Sequence, residues 1–223
     1  MNRRYNIVVV GGGVTGLMAA TLLAKGPQRD ALNITLVDAA PRPVFSPDDD
    51  VALRVSAIAT GTAELFASVG AWEYTAATRV GPYTSMRIWD ENDTPESSAA
   101  LRFSADEFAI SQLGFIVENV LLQDVLLYQL DRTDTTLKFE SPIGRLRRTA
   151  RHYELDLESG ESLTADLVVG ADGARSFIRS AVGIETNEWP YEQTAFVTHL
   201  RPEKAHGGAA LQRFLRDGPL GIL

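Results

Sequence analysis

The opening forty residues carry the clearest alternation of apolar and polar positions in the chain. A β-branched run, Ile7-Val8-Val9-Val10, leads into three consecutive glycines. Apolar residues at helical spacing follow over 14–25, and a second β-type run covers 33–37. Short apolar runs rich in valine and isoleucine predict strands, and a period near 3.6 predicts a helix. Strand (6–10), glycine turn, helix (14–25) and strand (33–37) make a βαβ unit, which implies a parallel sheet. Residues 41–50 hold three prolines and the run Asp48-Asp49-Asp50, a polar loop, and 56–69 returns to helical spacing.

The pattern then shortens. Strand-like pieces at 85–89 and 101–103 flank a polar stretch at 90–98, an excursion into another sheet. Helical spacing over 119–130 precedes short strands at 136–139, 143–149, 152–157 and 162–165, with Ser159-Gly160 as the hairpin turn between the last two. These predict a β-meander inserted before a buried strand at 167–169, with a short helix at 177–182 and strands at 194–200 and 209–215 beyond it. The chain finishes on apolar residues, as an element that continues and pairs would, so the sequence reads as the N-terminal part of a longer protein.

Composition narrows the function. A net charge of -8 disfavours nucleic acid, which asks for clustered lysine and arginine. With no cysteine, disulfides, thiolate nucleophiles and cysteine-ligated metals are excluded, so redox chemistry needs a borrowed cofactor. Residues 6–24 are uncharged and follow Arg3-Arg4, as in a signal peptide, but glycines at 11, 12, 13 and 16 break the continuity such a segment requires. His152, His199 and His206 lack ligand-like spacing, so no metal is expected. Arg145, Arg147, Arg148 and Arg151 read as a solvated edge strand. No Gly-x-Ser-x-Gly elbow occurs and no acid–base pair stands out, so no catalytic residue is assigned.

Two turns carry candidate chemistry. Gly11-Gly12-Gly13-Val14-Thr15-Gly16 is a G-x-G-x-x-G between a strand and a helix. In that context Gly11 permits the tight turn, Gly13 the approach of a diphosphate, and Gly16 close helix–strand packing, while Val14 and Thr15 open the helix whose free N–H groups face the anion. Asp38 follows Gly16 by 22 positions, at the end of the second strand, where a carboxylate accepts the hydroxyls of an adenosine ribose and repels a 2′-phosphate. Such glycines can also close a βα turn without any ligand, and alone they do not separate FAD from NAD. The second turn, Asp172-Gly173-Ala174-Arg175, follows Leu167-Val168-Val169-Gly170-Ala171 and precedes Ser176 and Arg179.

That second segment resembles the strand-Asp-Gly-helix fingerprint of group A FAD-dependent aromatic monooxygenases, which serves both FAD and nicotinamide. Arg54-Val55-Ser56-Ala57-Ile58 is similar to the segment whose arginine reaches the FAD diphosphate in the ubiquinone-biosynthesis hydroxylases of the UbiH/UbiF/VisC type. Leu113-Gly114-Phe115-Ile116-Val117-Glu118-Asn119 resembles that family's Leu-Gly-Tyr-Val-Glu-Asn stretch and places Gln123 near the flavin side chain. Gln212-Arg213-Phe214 with Gly218-Pro219-Leu220 resembles its substrate-domain strands.

The resemblance implies an α/β fold: a Rossmann-like FAD-binding domain of the p-hydroxybenzoate hydroxylase (GR2) type over 1–80 and 111–185, with an inserted β-meander. Part of a β-rich substrate domain would take 81–110 and 186–223. It implies FAD as cofactor, NAD(P)H as co-substrate, and hydroxylation of an aromatic ring of a polyprenylphenol by O2. It also implies a cytoplasmic protein that meets the inner membrane or a biosynthetic complex peripherally. The family's later Gly-Asp segment, which holds the flavin ribityl chain, has no counterpart here, since no Gly-Asp dipeptide occurs. Two other readings stay open: a flavin-dependent reductase or dehydrogenase on the same scaffold, and a non-catalytic nucleotide-binding fragment.

Overall fold

β1 (Tyr5–Val10) shows why the fold starts as it does: its last four residues are all buried, as expected only of a strand covered on both faces of a parallel sheet. The computed structural model describes residues 3–223. After β1 come α1 (Val14–Lys25), β2 (Leu32–Val37), β3 (Val55–Ala59), α2 (Thr60–Ser68), α3 (Trp72–Thr78), β4 (Gly81–Tyr83), β5 (Ser85–Asp90), β6 (Leu101–Ser104), β7 (Gly114–Glu118) and α4 (Asn119–Leu130). The chain continues with β8 (Thr136–Lys138), β9 (Ile143–Arg148), β10 (Tyr153–Leu157), β11 (Ser162–Ala165), β12 (Leu167–Gly170), α5 (Phe177–Ala181), β13 (Ala209–Leu215) and β14 (Gly218–Ile222).

Two compact units result. The first comprises Met1–Ser46, Phe66–Tyr74 and Val120–Glu188. Its four-stranded sheet has the order β12-β1-β2-β8 with every pair parallel, and its register aligns Gly170, Val10, Val37 and Lys138 in one row. The carboxyl ends of all four strands therefore share one edge. From β1 the chain crosses to β2 on one side while β12 pairs on the other, so that edge contains a topological switch point, where open α/β sheets hold their ligands. The antiparallel meander β11-β10-β9 covers one face, burying Leu155, Leu157 and Ala165 against Val8, Val10 and Val37. Ile7 and Val9 alternate to the opposite face and are buried there.

The second unit comprises Pro47–Leu65, Thr75–Asn119 and Trp189–Leu223. It holds a three-stranded antiparallel sheet, β3-β7-β4, and a four-stranded sheet, β14-β13-β5-β6. Glu118, 3% exposed, is held by Arg79 Nε at 2.9 Å and by the Ala52 N–H at 2.7 Å, so its buried charge is compensated.

Several expectations are corrected. The helix expected over 56–69 is a strand, β3, followed by α2, because residues 55–59 pair residue for residue with β7. The division into compact units places 47–65, 75–80 and 111–119 in the second unit. β8 joins the parallel sheet and leaves three strands to the meander. β12 is an edge strand with Leu167 half exposed, not a buried one. Residues 194–200 have strand composition but form no strand, because no described strand takes their backbone, and Phe196 is 94% exposed. β14 covers the Gly218-Pro219-Leu220 segment that resembles a substrate-domain strand, although Gly218 and Pro219 give it no strand pattern of its own.

Candidate nucleotide-binding site

Three glycines of the first turn are dictated by contact with backbone or carboxylate. Gly11 has φ +115°, a left-handed region that penalises side chains, and a Cβ there would lie 2.2 Å from the Ala171 carbonyl oxygen. A Cβ on Gly16 would lie 1.9 Å from the Gly11 oxygen, so the first turn of α1 presses directly on the strand end. Hydrogen bonds lock this arrangement: the Gly11 N–H donates to Val37 O at 2.8 Å, and Ala171 N–H donates to Val10 O at 2.7 Å. The turn is thereby stitched to β2 on one side and to the end of β12 on the other. At Gly12 a Cβ would meet the Phe139 ring at 2.9 Å and the Asp38 carboxylate at 3.0 Å.

Gly13 is different. It is exposed, and a Cβ built on it meets nothing within 4 Å. The space above it is open, and it is flanked by the N-terminus of α1. That helix starts with no side-chain cap and no acidic residue in its first turn. The Leu17 N–H is the first to find an intrahelical acceptor, Gly13 O at 2.9 Å, which leaves the earlier N–H groups of Val14 and Thr15 facing outward with the positive end of the helix dipole. An anionic, backbone-recognised group is what this arrangement favours.

Asp38 and Gln123 both hold the turn at Gly12. One Asp38 oxygen accepts the Gly12 N–H, and the other accepts the Ala40 N–H at 2.6 Å. A carboxylate offers about four lone-pair sites, so two remain for sugar hydroxyls. Asp38 is itself fixed by β8, its N–H donating to Lys138 O at 2.8 Å. Gln123, in the second turn of α4, donates from Nε2 to Gly12 O at 2.8 Å.

The second turn leaves β12 at the same register position as the first leaves the neighbouring β1, since Val10 pairs with Gly170. Gly173 has φ +83°, so glycine is needed there for conformation. Asp172 is engaged within its own turn: it accepts from Ser176 Oγ, and the Ile178 N–H donates to it at 3.1 Å. Ser176 also accepts the Arg179 N–H at 2.9 Å, so the two side chains together start α5. A Cβ on Gly170 would strike Ile178 at 2.9 Å, which sets how closely α5 sits on β12. Arg175 is exposed beyond the turn, while Arg179 is tied to Ala174 O at 2.7 Å.

Of the residues singled out in the sequence, Gly11, Gly13, Val14, Thr15, Gly16, Asp38, Gln123, Asp172, Gly173 and Arg175 fall in the first unit at or around the carboxyl edge of its sheet. Arg54 lies in the second unit, immediately before β3, its carbonyl accepting the Asn119 N–H at 3.0 Å. Sequence reasoning missed Gly12, Phe139 and Ser176. The third consecutive glycine was the available signal for Gly12, and the serine four residues after Asp172 for Ser176. Nothing local marks Phe139. Among the described residues no group of three or more His, Asp or Glu is placed to hold a metal ion, and no helix is long and apolar enough to cross a membrane.

Comparison with known proteins agrees with this geometry. The family model described as FAD binding domain matches residues 4–206. The chain is 32% identical over 223 residues to 3-demethoxyubiquinol 3-hydroxylase of Escherichia coli, covering 100% of this chain and 55% of that protein. It is 32% identical over 231 residues to the mitochondrial ubiquinone biosynthesis monooxygenase COQ6 of Xenopus tropicalis, covering 98% and 48% respectively. The chain thus spans about half the length of the curated relatives it matches. Among solved structures, p-nitrophenol 4-monooxygenase PnpA of Pseudomonas putida superposes with a TM-score of 0.63 at 19% identity, over 82% of this chain and 44% of that one. PqsL of Pseudomonas aeruginosa gives 0.65 at 19%, over 85% and 48%.

Proposed function

The chain belongs to the FAD binding domain family, and from that premise we propose that it holds FAD in an enzyme that hydroxylates the aromatic ring of a polyprenylated phenol in ubiquinone biosynthesis. NAD(P)H and O2 are the co-substrates: one oxygen atom enters the ring, the other leaves as water, and NAD(P)H supplies the two electrons. The observation that carries the reading is the pairing of two specialised turns at one switch point: the glycine turn after β1 and the Asp172 turn after β12, stitched together by Ala171 N–H to Val10 O. A simple NAD dehydrogenase has use for the first turn only. The names of two relatives support the substrate class: one is a ubiquinone biosynthesis monooxygenase, the other a hydroxylase of demethoxyubiquinol.

In this reading the diphosphate lies over Gly13, against the free N–H groups of Val14 and Thr15, with Gly11 and Gly16 allowing the tight curvature. Asp38 takes the adenosine ribose through its two remaining lone-pair sites. Asp172 and Gly173 shape the second wall, and the guanidinium group of Arg175 is suited to phosphate oxygens. When bound, FAD supplies the redox chemistry of hydroxylation, hydride acceptance and dioxygen activation, and the protein's task is binding, orientation and exclusion of water. This accounts for a site without an acid–base pair. A polyprenyl tail partitions into lipid, so the reading carries a cytoplasmic protein peripheral to the inner membrane.

The test has two steps. FAD is titrated into the purified chain and followed by flavin absorbance and fluorescence, with AMP as competitor. Turnover with NAD(P)H, a prenylated phenol and isotopically labelled O2 follows. Tight binding with a perturbed flavin spectrum and label in the product is the expected result. Binding with NAD(P)H oxidation but no label in the product would identify a flavin reductase, and failure to bind FAD would refute the reading.

A further inference from the structure

The resemblance to flavin hydroxylases gives Gln123 a place beside the flavin side chain, yet in the structure its amide is committed elsewhere. Nε2 donates to the carbonyl of Gly12 at 2.8 Å, from a residue more than a hundred positions away in sequence. The neighbouring peptide is held equally firmly, because the Gly12 N–H is taken by the Asp38 carboxylate.

The consequence follows from peptide geometry. In a trans peptide the C=O and the N–H point in opposite directions, and among the described residues no peptide bond is cis. Asp38 draws the Gly12 N–H to one side, so the Gly11 oxygen of the same peptide is turned the other way. There it meets Gly16, 1.9 Å from where a Cβ would be. Gln123 draws the Gly12 oxygen inward, so the Gly13 N–H of that peptide is turned outward, at the residue where the space is open. Two side chains, one engaging the N–H and the other the carbonyl of one glycine, thus set the orientation of two successive peptides. Both peptides are glycine-rich and would otherwise rotate readily.

We propose that Gln123 is a positioning residue for the glycine turn: by holding the Gly12 carbonyl it presents the Gly13 N–H, together with the N-terminus of α1, to a diphosphate, and it does not act through the flavin ring or its ribityl chain. The inference rests on the reading that this turn binds the diphosphate of a dinucleotide. It makes Gln123 a determinant of affinity for any ADP-containing ligand.

The difference between contact with flavin and support of the turn is measurable with ADP, which has the diphosphate but neither flavin nor ribityl chain. Calorimetry with FAD and with ADP is performed on the wild-type chain, Gln123→Leu and Gln123→Glu, each checked by thermal melting. Gln123→Leu is expected to weaken ADP and FAD by the same factor, about tenfold, as loss of one orienting hydrogen bond would. Gln123→Glu turns a carboxylate toward the Gly12 oxygen at neutral pH and regains a donor when protonated. Its ADP affinity should therefore rise as pH falls from about 7 to 5 relative to wild type measured alongside, a trend that a general loss of stability would not produce. A variant that weakens FAD while leaving ADP unchanged would overturn the proposal in favour of a flavin contact. Unchanged affinity for both ligands in Gln123→Leu, or no relative pH trend in Gln123→Glu, would overturn it as well. If the wild-type chain binds neither ligand, the underlying diphosphate reading falls first and this inference with it.

Discussion

The two turns that leave the carboxyl edge of the parallel sheet solve the same problem with different materials. The turn after β1 is built from backbone against backbone. Gly11 abuts Ala171, Gly16 abuts Gly11, and side chains enter only to hold the Gly12 peptide. The turn after β12 is built from side chains, with Asp172 and Ser176 supplying the hydrogen bonds that start α5, and Gly173 needed only for its left-handed conformation. A backbone-built turn tolerates no added atom, whereas one built from side chains loses a countable number of hydrogen bonds when altered. The first also keeps its exposed N–H groups unspent. The second spends its carboxylate on its own helix.

The sharpest way to break this contrast is to add a methyl group to each turn. Gly16→Ala or Gly11→Ala forces backbone to move and is expected to destabilise the first unit by about 3 kcal/mol, read as a lowered urea midpoint. Gly173→Ala has open space around its Cβ and meets only the penalty of its positive φ, about 1 kcal/mol. Between these lies Asp172→Ala, which removes both acceptors at the start of α5 and is expected to lower stability by about 2 kcal/mol. Ser176→Ala should lower it by less, since Asp172 still reaches the Ile178 N–H.

The smallest effect concerns the opposite, amino-terminal end of the same strand pair. Asp166 accepts the Asn6 N–H at 2.9 Å and pairs with Arg3, and these, the Asn6 N–H foremost, hold its carboxyl below the ordinary value of 3.8 against a lesser contribution from burial. A carboxyl depressed in the folded state stabilises fully only above its unfolded value, and that contribution disappears as pH falls through the folded one. Acid titration followed by circular dichroism should therefore show a shallower loss of stability below about pH 4 for Asp166→Asn than for wild type.

How much of this was legible in the sequence depends on whether the determinant is local. Gly11, Gly16 and Asp38 announce themselves by spacing, because a βα turn must contract at fixed offsets, and β1, α1 and α4 follow directly from apolar period. β3 reads as the start of a helix because Val55 to Ala59 has no alternation of its own, and only pairing with β7, some sixty residues later, decides it. Gln123 and Phe139 meet Gly12 through tertiary packing, which spacing does not encode. Residues 194–200 err the other way: their composition suits a strand, but a strand exists only where another takes its hydrogen bonds.

The cofactor assignment depends on whether the open space above Gly13 is the seat of a diphosphate. Gly13 has φ -70° and ψ 171°, which alanine adopts without strain, and a Cβ there touches nothing. Calorimetric titration of FAD into Gly13→Ala beside wild type therefore separates binding from folding. The expected result is an urea midpoint unchanged within the equivalent of about 0.5 kcal/mol together with FAD affinity reduced at least about tenfold, because the methyl group occupies the ligand's place. Equal affinity in the two proteins would contradict the assignment of this turn as the cofactor's cradle.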